Sequence, residues 1–513
     1  MVQAWAFRTQ SEVSDLQSLA SAPYGAPGLP STPISFRDVT ATFGPAIPGF
    51  PAGAKVYIGE TIDLFALTAA TGTFAPGLTG AQGEPIPFIM VTPNPATVPT
   101  DGFPSTIFGH GLGGNRTNML AIATAFASAG RVGIAIDEPW HGARNTCLGF
   151  GAASGLTDAA LCVLPGAGTA SCGTSVIGTV TETGRCHADT GHRAACTPSA
   201  ADPLGDIACT LIGQGDCDQS TVTCEGASFA GDGTTPSPIP GASGWNLLNL
   251  VNLFATRDNF RQQVISHAQL ARVIADQTAA VSLSALTVKL NPTRIDYAGQ
   301  SLGGILGTLY TSVAFNVNNA GLNVPGADPV NILLTSPAFS SLLTAFQGGL
   351  AEAGIITNTP TYDLFIDIAR WILDPADPAN AAYYTIHKTG LPSVIGGDSI
   401  PAARRTFAQW IVGDQVVPNP TALQLIQAAL HDPTTNGLKV PGTGPFFAYQ
   451  FNDTSTPYSF VLADIPACNR HPFLLEPPGA TCGTVGANPS PGFTLTEDAQ
   501  TQLITFLAGV APY

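Results

Sequence analysis

Apolar positions along this 513-residue chain change period several times, and the changes mark its elements. Residues 1–84 carry only short β-like runs, 54–58 and 62–67, among Pro, Gly, Thr and Ala, which predicts an extended N-terminal segment covering part of a core. From residue 86 the pattern sharpens. Residues 87–91 and 105–108 are short and apolar enough for buried strands, 115–129 is an apolar helical stretch stopped at Gly130, and 131–136 is a further strand. Strand, helix and strand at this spacing form a βαβ unit, and hence a parallel sheet. Helical spacing returns over 246–275. There follow a strand at 294–298, a helix at 302–315, a strand at 330–334, a helical apolar stretch over 340–395, strands at 407–412 and 445–451, and a closing amphipathic helix at 494–507. The alternation predicts an α/β fold with a mostly parallel central sheet flanked by helices.

Between 143 and 244 the periodicity stops, and Gly, Ser, Thr, Ala, Pro and Cys dominate. A structureless run of this length is unusual inside a compact domain. Eight of the ten cysteines fall here, Cys147, Cys162, Cys172, Cys186, Cys196, Cys209, Cys217 and Cys224. Covalent links can replace a core, so 143–244 reads as a disulfide-stapled insertion. The α/β core would then comprise 85–142 and 245–513. Cys186, His187, His192 and Cys196 could be spaced as a zinc site, but they read equally well as disulfide halves and surface histidines, and no metal is expected.

Composition narrows the function classes. Charged residues make up 11% of the chain, less than half the roughly 25% of an average soluble protein. The net charge is −16 and only four lysines are present, which leaves no basic surface for nucleic acid. No apolar run reaches the ~18 residues of a transmembrane helix. Low charge with an even cysteine count predicts a secreted or cell-surface protein, and the first residues lack the basic and apolar regions of a signal peptide.

Two glycine-rich motifs carry the chemistry. Gly299-Gln300-Ser301-Leu302-Gly303 is a GxSxG that follows the strand at 294–298 and precedes a helix. A strand-to-helix turn this tight exposes a strained serine as a nucleophile. His110-Gly111-Leu112-Gly113-Gly114 follows the strand at 105–108. Acyl transfer needs donors for a developing oxyanion, and a glycine-rich turn supplies one N–H while the residue after the nucleophile supplies another. Leu112 and Leu302 are the expected pair, with His110 bracing the turn.

These motifs, followed by Gly413-Asp414-Gln415-Val416-Val417-Pro418, occur in the order found in α/β-hydrolases of the lipase and carboxylesterase type, which the chain resembles. The start at Trp5-Ala-Phe-Arg-Thr-Gln-Ser11 and the stretch 374–380 are also similar to bacterial extracellular lipases of the virulence-factor (VolA-like) type. The resemblance implies the order nucleophile, acid, histidine. Asp414 sits where the family holds its acid, with Asp374 and Asp377 as competitors better suited to turns or caps. Of the two later histidines, His431 ends a helix, whereas His471 lies in the loop after the last strand, where this fold holds its general base. Cys468 and Cys482 flank it, and a disulfide between them would pin that loop. The resemblance thus implies a secreted serine esterase that needs no cofactor. Residues 340–395 occupy the place of a lid, and their Phe346, Phe365 and Trp371 suggest an acyl-binding cleft for neutral small-molecule, lipid or polyester substrates. The same triad also serves acyltransferases and peptidases, and a binding module on an inactive hydrolase scaffold is the reading from another class.

Overall fold

The computed structural model describes residues 12–144, 243–276, 288–386, 404–432, 471–475 and 495–510, apart from 32, 34, 70 and 412, together with parts of 171–224 and of 437–459. Nine strands form its main sheet: β1 (Ser35–Asp38), β2 (Lys55–Phe65), β3 (Gln82–Thr92), β4 (Phe103–Gly109), β5 (Val132–Ile136), β6 (Leu290–Gln300), β7 (Val317–Asn323), β8 (Arg405–Ile411) and β9 (Phe446–Phe451). Their spatial order is β1-β2-β3-β5-β4-β6-β7-β8-β9. From β5 to β9 neighbours pair in parallel, while β1, β2 and β3 form an antiparallel meander that joins β5 through β3. This is the α/β-hydrolase sheet with one added edge strand. The order reverses around β4, so the carboxyl ends of β4 and β6 open side by side at the switch point, where ligands bind in sheets of this class.

Alternation along the buried strands feeds two cores. Phe88, Met90, Ile107 and Tyr297 face one side of the sheet, and Ile89, Val91, Phe108 and Ala298 face the other. The first side is covered by helices α1 (Glu12–Gly25), α3 (Leu253–Ala275) and α4 (Leu302–Val313), the second by α2 (Ala123–Ser128) and α9 (Leu495–Leu507). Buried ion pairs tie the layers. Arg144 reaches Asp63 at 3.0 Å and Glu84 at 2.9 Å, which joins the segment after β5 to β2 and β3. Arg116 pairs with Asp137, and Arg131 with Asp296. Removing one partner of such a pair strands a buried charge, so these contacts fix register as well as energy.

Three sequence-based expectations change. The run at 330–334 is helical: α5 (Pro329–Thr335) starts with Pro at its first turn and with the Asp328 side chain accepting from the Asn331 N–H. Five apolar residues fit a strand or a buried helix turn equally, and here the cap decides. The strand is β7 instead, whose three asparagines hid it. The N-terminal segment is not all extended, since α1 buries Leu16, Leu19 and Ala20 on one face. The helix expected from 246 begins at Leu253, capped by Asn252.

Outside these layers, α6 (Ser340–Glu352) packs on α5, α7 (Pro360–Leu373) on α3 and α5, and the short α8 (Pro378–Ala382) on α4. In the insertion, Ser171–Ile177 and Val180–His187 form a hairpin, and disulfides join Cys196 to Cys217 and Cys209 to Cys224. Cys196 is therefore committed to sulfur, and the buried His187 Nε2 lies 2.8 Å from Ser175 Oγ, which dismantles the zinc reading. Cys147, Cys162, His192, His387 and the Cys468–Cys482 pair lie outside the described residues. Among the described residues no single helix is long and apolar enough to cross a membrane.

Asp377 caps α8 and accepts from the N–H groups of Ala379 and Asp328 at 2.9 and 3.0 Å. Burial nevertheless pushes its pKa up to about 6. A carboxyl whose pKa rises on folding holds its proton more tightly in the native state, so this group's contribution to stability falls as pH climbs from about 4 to about 6. Asp377→Asn keeps the cap without the charge. It should gain about 1–2 kcal/mol above pH 6 and nothing below pH 4, as read by urea unfolding across pH. A variant that is less stable at pH 7 would contradict this account.

Candidate active site

The turn between β6 and α4 sets the geometry. Ser301 has φ 57° and ψ −118°, outside the regions that side-chain-bearing residues favour, at a cost of about 1–3 kcal/mol. The turn is held on both sides. The Ser301 N–H donates to Asn323 O at 2.9 Å, and the Ser301 carbonyl accepts from Gly304 and Ile305 as α4 begins. Gly303 lies directly on the Gly109 carbonyl of β4, where any side chain would collide, and Tyr297 donates to the Gly303 carbonyl at 2.6 Å from beneath. The result is a serine hydroxyl presented above the sheet on a rigid support.

The chain returns to this serine twice. After β8, Gly413 takes a positive φ of 75° and turns Asp414 inward. One carboxyl oxygen of Asp414 accepts from the N–H groups of Val416 and Val417 at 2.8 and 2.9 Å. The other faces His471 Nδ1 at 2.8 Å. His471 Nε2 lies 2.5 Å from Ser301 Oγ. With Nδ1–H donating to the carboxylate, Nε2 is left as the acceptor of the serine proton. All three side chains are buried, at 5–6% exposure. His471 is anchored by its neighbours: Phe473 and Leu474 insert fully into the core beside Leu503 and Phe506, and Gln500 donates to the Leu474 carbonyl at 2.8 Å. The seat of the imidazole is thus built from packing.

The turn at 110–114 closes the other side. A side-chain carbon on Gly111 would stand 2.6 Å from Gln300 Oε1 and 3.4 Å from Ser301 Cβ, so the turn touches the elbow and a larger residue there would have to displace the Gln300 amide. Leu302 is the first residue of α4, and its N–H has no acceptor within the helix. Leu112 and Leu302 both line the cavity that contains Ser301. His110 is fully buried. Its Nε2 accepts from the Glu138 N–H at 3.0 Å, which leaves Nδ1–H for the Gly111 carbonyl at 2.9 Å. Burial holds its pKa below the usual imidazole range, so it braces the turn as a neutral group.

Phe346 and Phe365 line the same cavity, their rings 6.0 Å apart. Trp371 does not: it is 63% exposed on the far side of α7. Helical spacing explains the difference, since Phe365, Ile366, Ala369 and Leu373 face the cavity while Leu364, Ile368 and Trp371 face outward. Leu248, Leu253, Phe260 and Val417, which also line it, carry no signal that separates them from ordinary core residues. Of the competing acids, Asp377 is the cap described above and Asp374 accepts from Asn380 at 3.2 Å. His431 opens a two-residue strand paired with Gly437–Leu438. His141 Nδ1 faces the Pro139 carbonyl at 2.9 Å, and His267 packs on Tyr297 and Tyr310.

No family model matches the chain, and no curated protein matches it in sequence. Solved structures similar to it include an acetyl xylan esterase from Paenibacillus sp. R4, at 14% identity and a TM-score of 0.39, over 88% of this chain and 92% of that one. Acetyl xylan esterase 1 from Thermoanaerobacterium sp. JW/SL YS485 is similar at 13% identity and a TM-score of 0.36, over 87% and 90%. A CE15 glucuronoyl esterase from Teredinibacter turnerae T7901 is similar at 11% identity and a TM-score of 0.35, over 86% and 80%. Likenesses this loose carry no inference about chemistry; the strand order and the distances above stand on their own.

Proposed function

We propose that this chain is a carboxylic ester hydrolase that works through an acyl-enzyme on Ser301. The observation that carries the reading is the continuous hydrogen-bonded line from Asp414 through His471 to the strained Ser301, with a glycine turn against it. His471 Nε2 removes the hydroxyl proton as Oγ attacks the ester carbonyl. Asp414 fixes the tautomer and stabilises the imidazolium. The amides of Leu112 and Leu302 receive the oxyanion. The tetrahedral intermediate collapses by breaking the bond to the alcohol oxygen, which takes its proton from His471. Water, deprotonated by the same imidazole, then releases the acid.

The cavity supports a hydrocarbon acyl group. Among the described residues that line it, every side chain except Thr256 and Ser301 is apolar, and none is charged to hold a carboxylate, phosphate or sugar. It opens about 930 Å³ of space between its walls, part of it continuous with solvent. The outward stripe of Leu364, Ile368 and Trp371 on α7 favours a substrate met at an apolar surface, a lipid or polyester, in keeping with the lipase resemblance. The disulfides and the low charge favour secretion into an oxidising compartment.

Hydrolysis of p-nitrophenyl esters from acetate to palmitate tests the reading. Ser301→Ala should lower kcat at least ~10⁴-fold on every ester; equal rates in both proteins would remove the mechanism. Ala369→Trp places a large ring in the acyl cavity. Its rate on octanoate and longer esters should fall at least ~10-fold more than its rate on acetate, and an even loss across chain lengths would show that the acyl group lies elsewhere.

A further inference from the structure

Beneath the elbow lies a group of buried polar side chains that the reaction above does not use. Glu138 is fully buried, and neither of its carboxyl oxygens has a hydrogen-bond partner among the described residues. His141 Nε2, His267 Nδ1 and Gln263 Oε1 are buried and unpartnered likewise. His267 Nε2 lies 3.8 Å from Glu138 Oε1, and the His110 and His141 rings stack edge to face at 5.0 Å. Arg144, whose charge acts on Glu138, is already held by Asp63 and Glu84.

Both ends of Glu138 reach groups that support the proposed oxyanion hole. Its N–H fixes His110, whose other nitrogen holds the Gly111 carbonyl. Its carboxyl lies against β4 where the elbow crosses it. A side-chain carbon at Gly109 would stand 3.1 Å from Glu138 Oε1 and would collide with the Tyr297 hydroxyl, the group that donates to Gly303. The two oxyanion donors sit on different segments, and donors of this kind act only when both lie within about 3 Å of the developing charge.

We propose that Glu138 is a positioning residue for the ester-cleaving site, joining the 110–114 turn to the 299–303 elbow through its main chain on one side and its carboxyl on the other. The proposal rests on the ester hydrolase reading. Burial raises the Glu138 pKa well above the usual carboxylate range, favouring its protonated form, and lowers that of His267 to about 3, so the imidazole beside it carries no charge at pH 7.

Glu138→Gln and Glu138→Leu separate that role from plain packing. The amide keeps the size and neutral polarity of the acid, so Glu138→Gln should retain kcat within about 3-fold. Glu138→Leu, whose branched tip presses on Tyr297 and Gly109, should lose kcat about 10- to 100-fold with KM within about 2-fold, because bound substrate is unaffected while the oxyanion donors are misplaced. Thermal melting checks that each variant is folded. If Glu138→Leu does not fold, Tyr297→Phe, which removes the hydrogen bond to Gly303, should show the same kcat-only loss. Wild-type kcat in Glu138→Leu or Tyr297→Phe, or equal losses in the Gln and Leu variants, would overturn the proposal. Failure of the underlying reading is distinct, since Ser301→Ala would then match wild type.

Discussion

The site depends on one steric contact, the backbone of Gly303 lying on the carbonyl of Gly109. It lets the first turn of α4 settle onto β4, and that approach forces the chain through the unfavourable φ of Ser301. A methyl group at Gly303 would lift the helix and release the serine from its strained position. The Ser301 N–H bonded to Asn323 and the Tyr297 hydroxyl bonded to Gly303 hold the turn from either side. Strain of about 1–3 kcal/mol persists because these contacts together outweigh it.

Strand order does the rest. Because β4 and β6 are neighbours at the point where the strand order reverses, two glycine turns far apart in sequence meet edge to edge, and Leu112 and Leu302 line one cavity. Asp414 arrives from the end of β8, two strands away, and His471 from a segment pinned by Phe473 and Leu474. Each side chain is placed by a rigid element or a core anchor. The apolar cavity follows from the same arrangement, with α7 turning one face inward over the serine and the other to solvent.

How much of this could be read from the chain depends on how local the cause was. The motif at 299–303 is legible because its glycines answer a steric demand made within five residues, and the runs around β3 to β6 and β8 are legible because full burial leaves near-continuous apolar stretches. Strand β7 was not: three asparagines break its apolar pattern, and all three have side chains bonded outside the strand, Asn318 to the Thr293 carbonyl, Asn319 to Asp296 and Asn323 to Gln409. Helix α5 reads as a strand until Asp328 and Pro329 are seen as a cap. The outward turn of Trp371 depends on which face of α7 meets the cavity, which spacing within one helix does not fix. Glu138 carries no sequence signal, because its setting comes from β4, β6 and α3 at once.

The central claim is that Ser301 is the group acylated in turnover. Incubation with a fluorophosphonate, digestion and mass spectrometry of the peptides tests it most directly. The account predicts one phosphonylated peptide, modified at Ser301, with labelling lost in His471→Ala. A label on another serine, or an unmodified Ser301 in protein that is turning over ester, would contradict it.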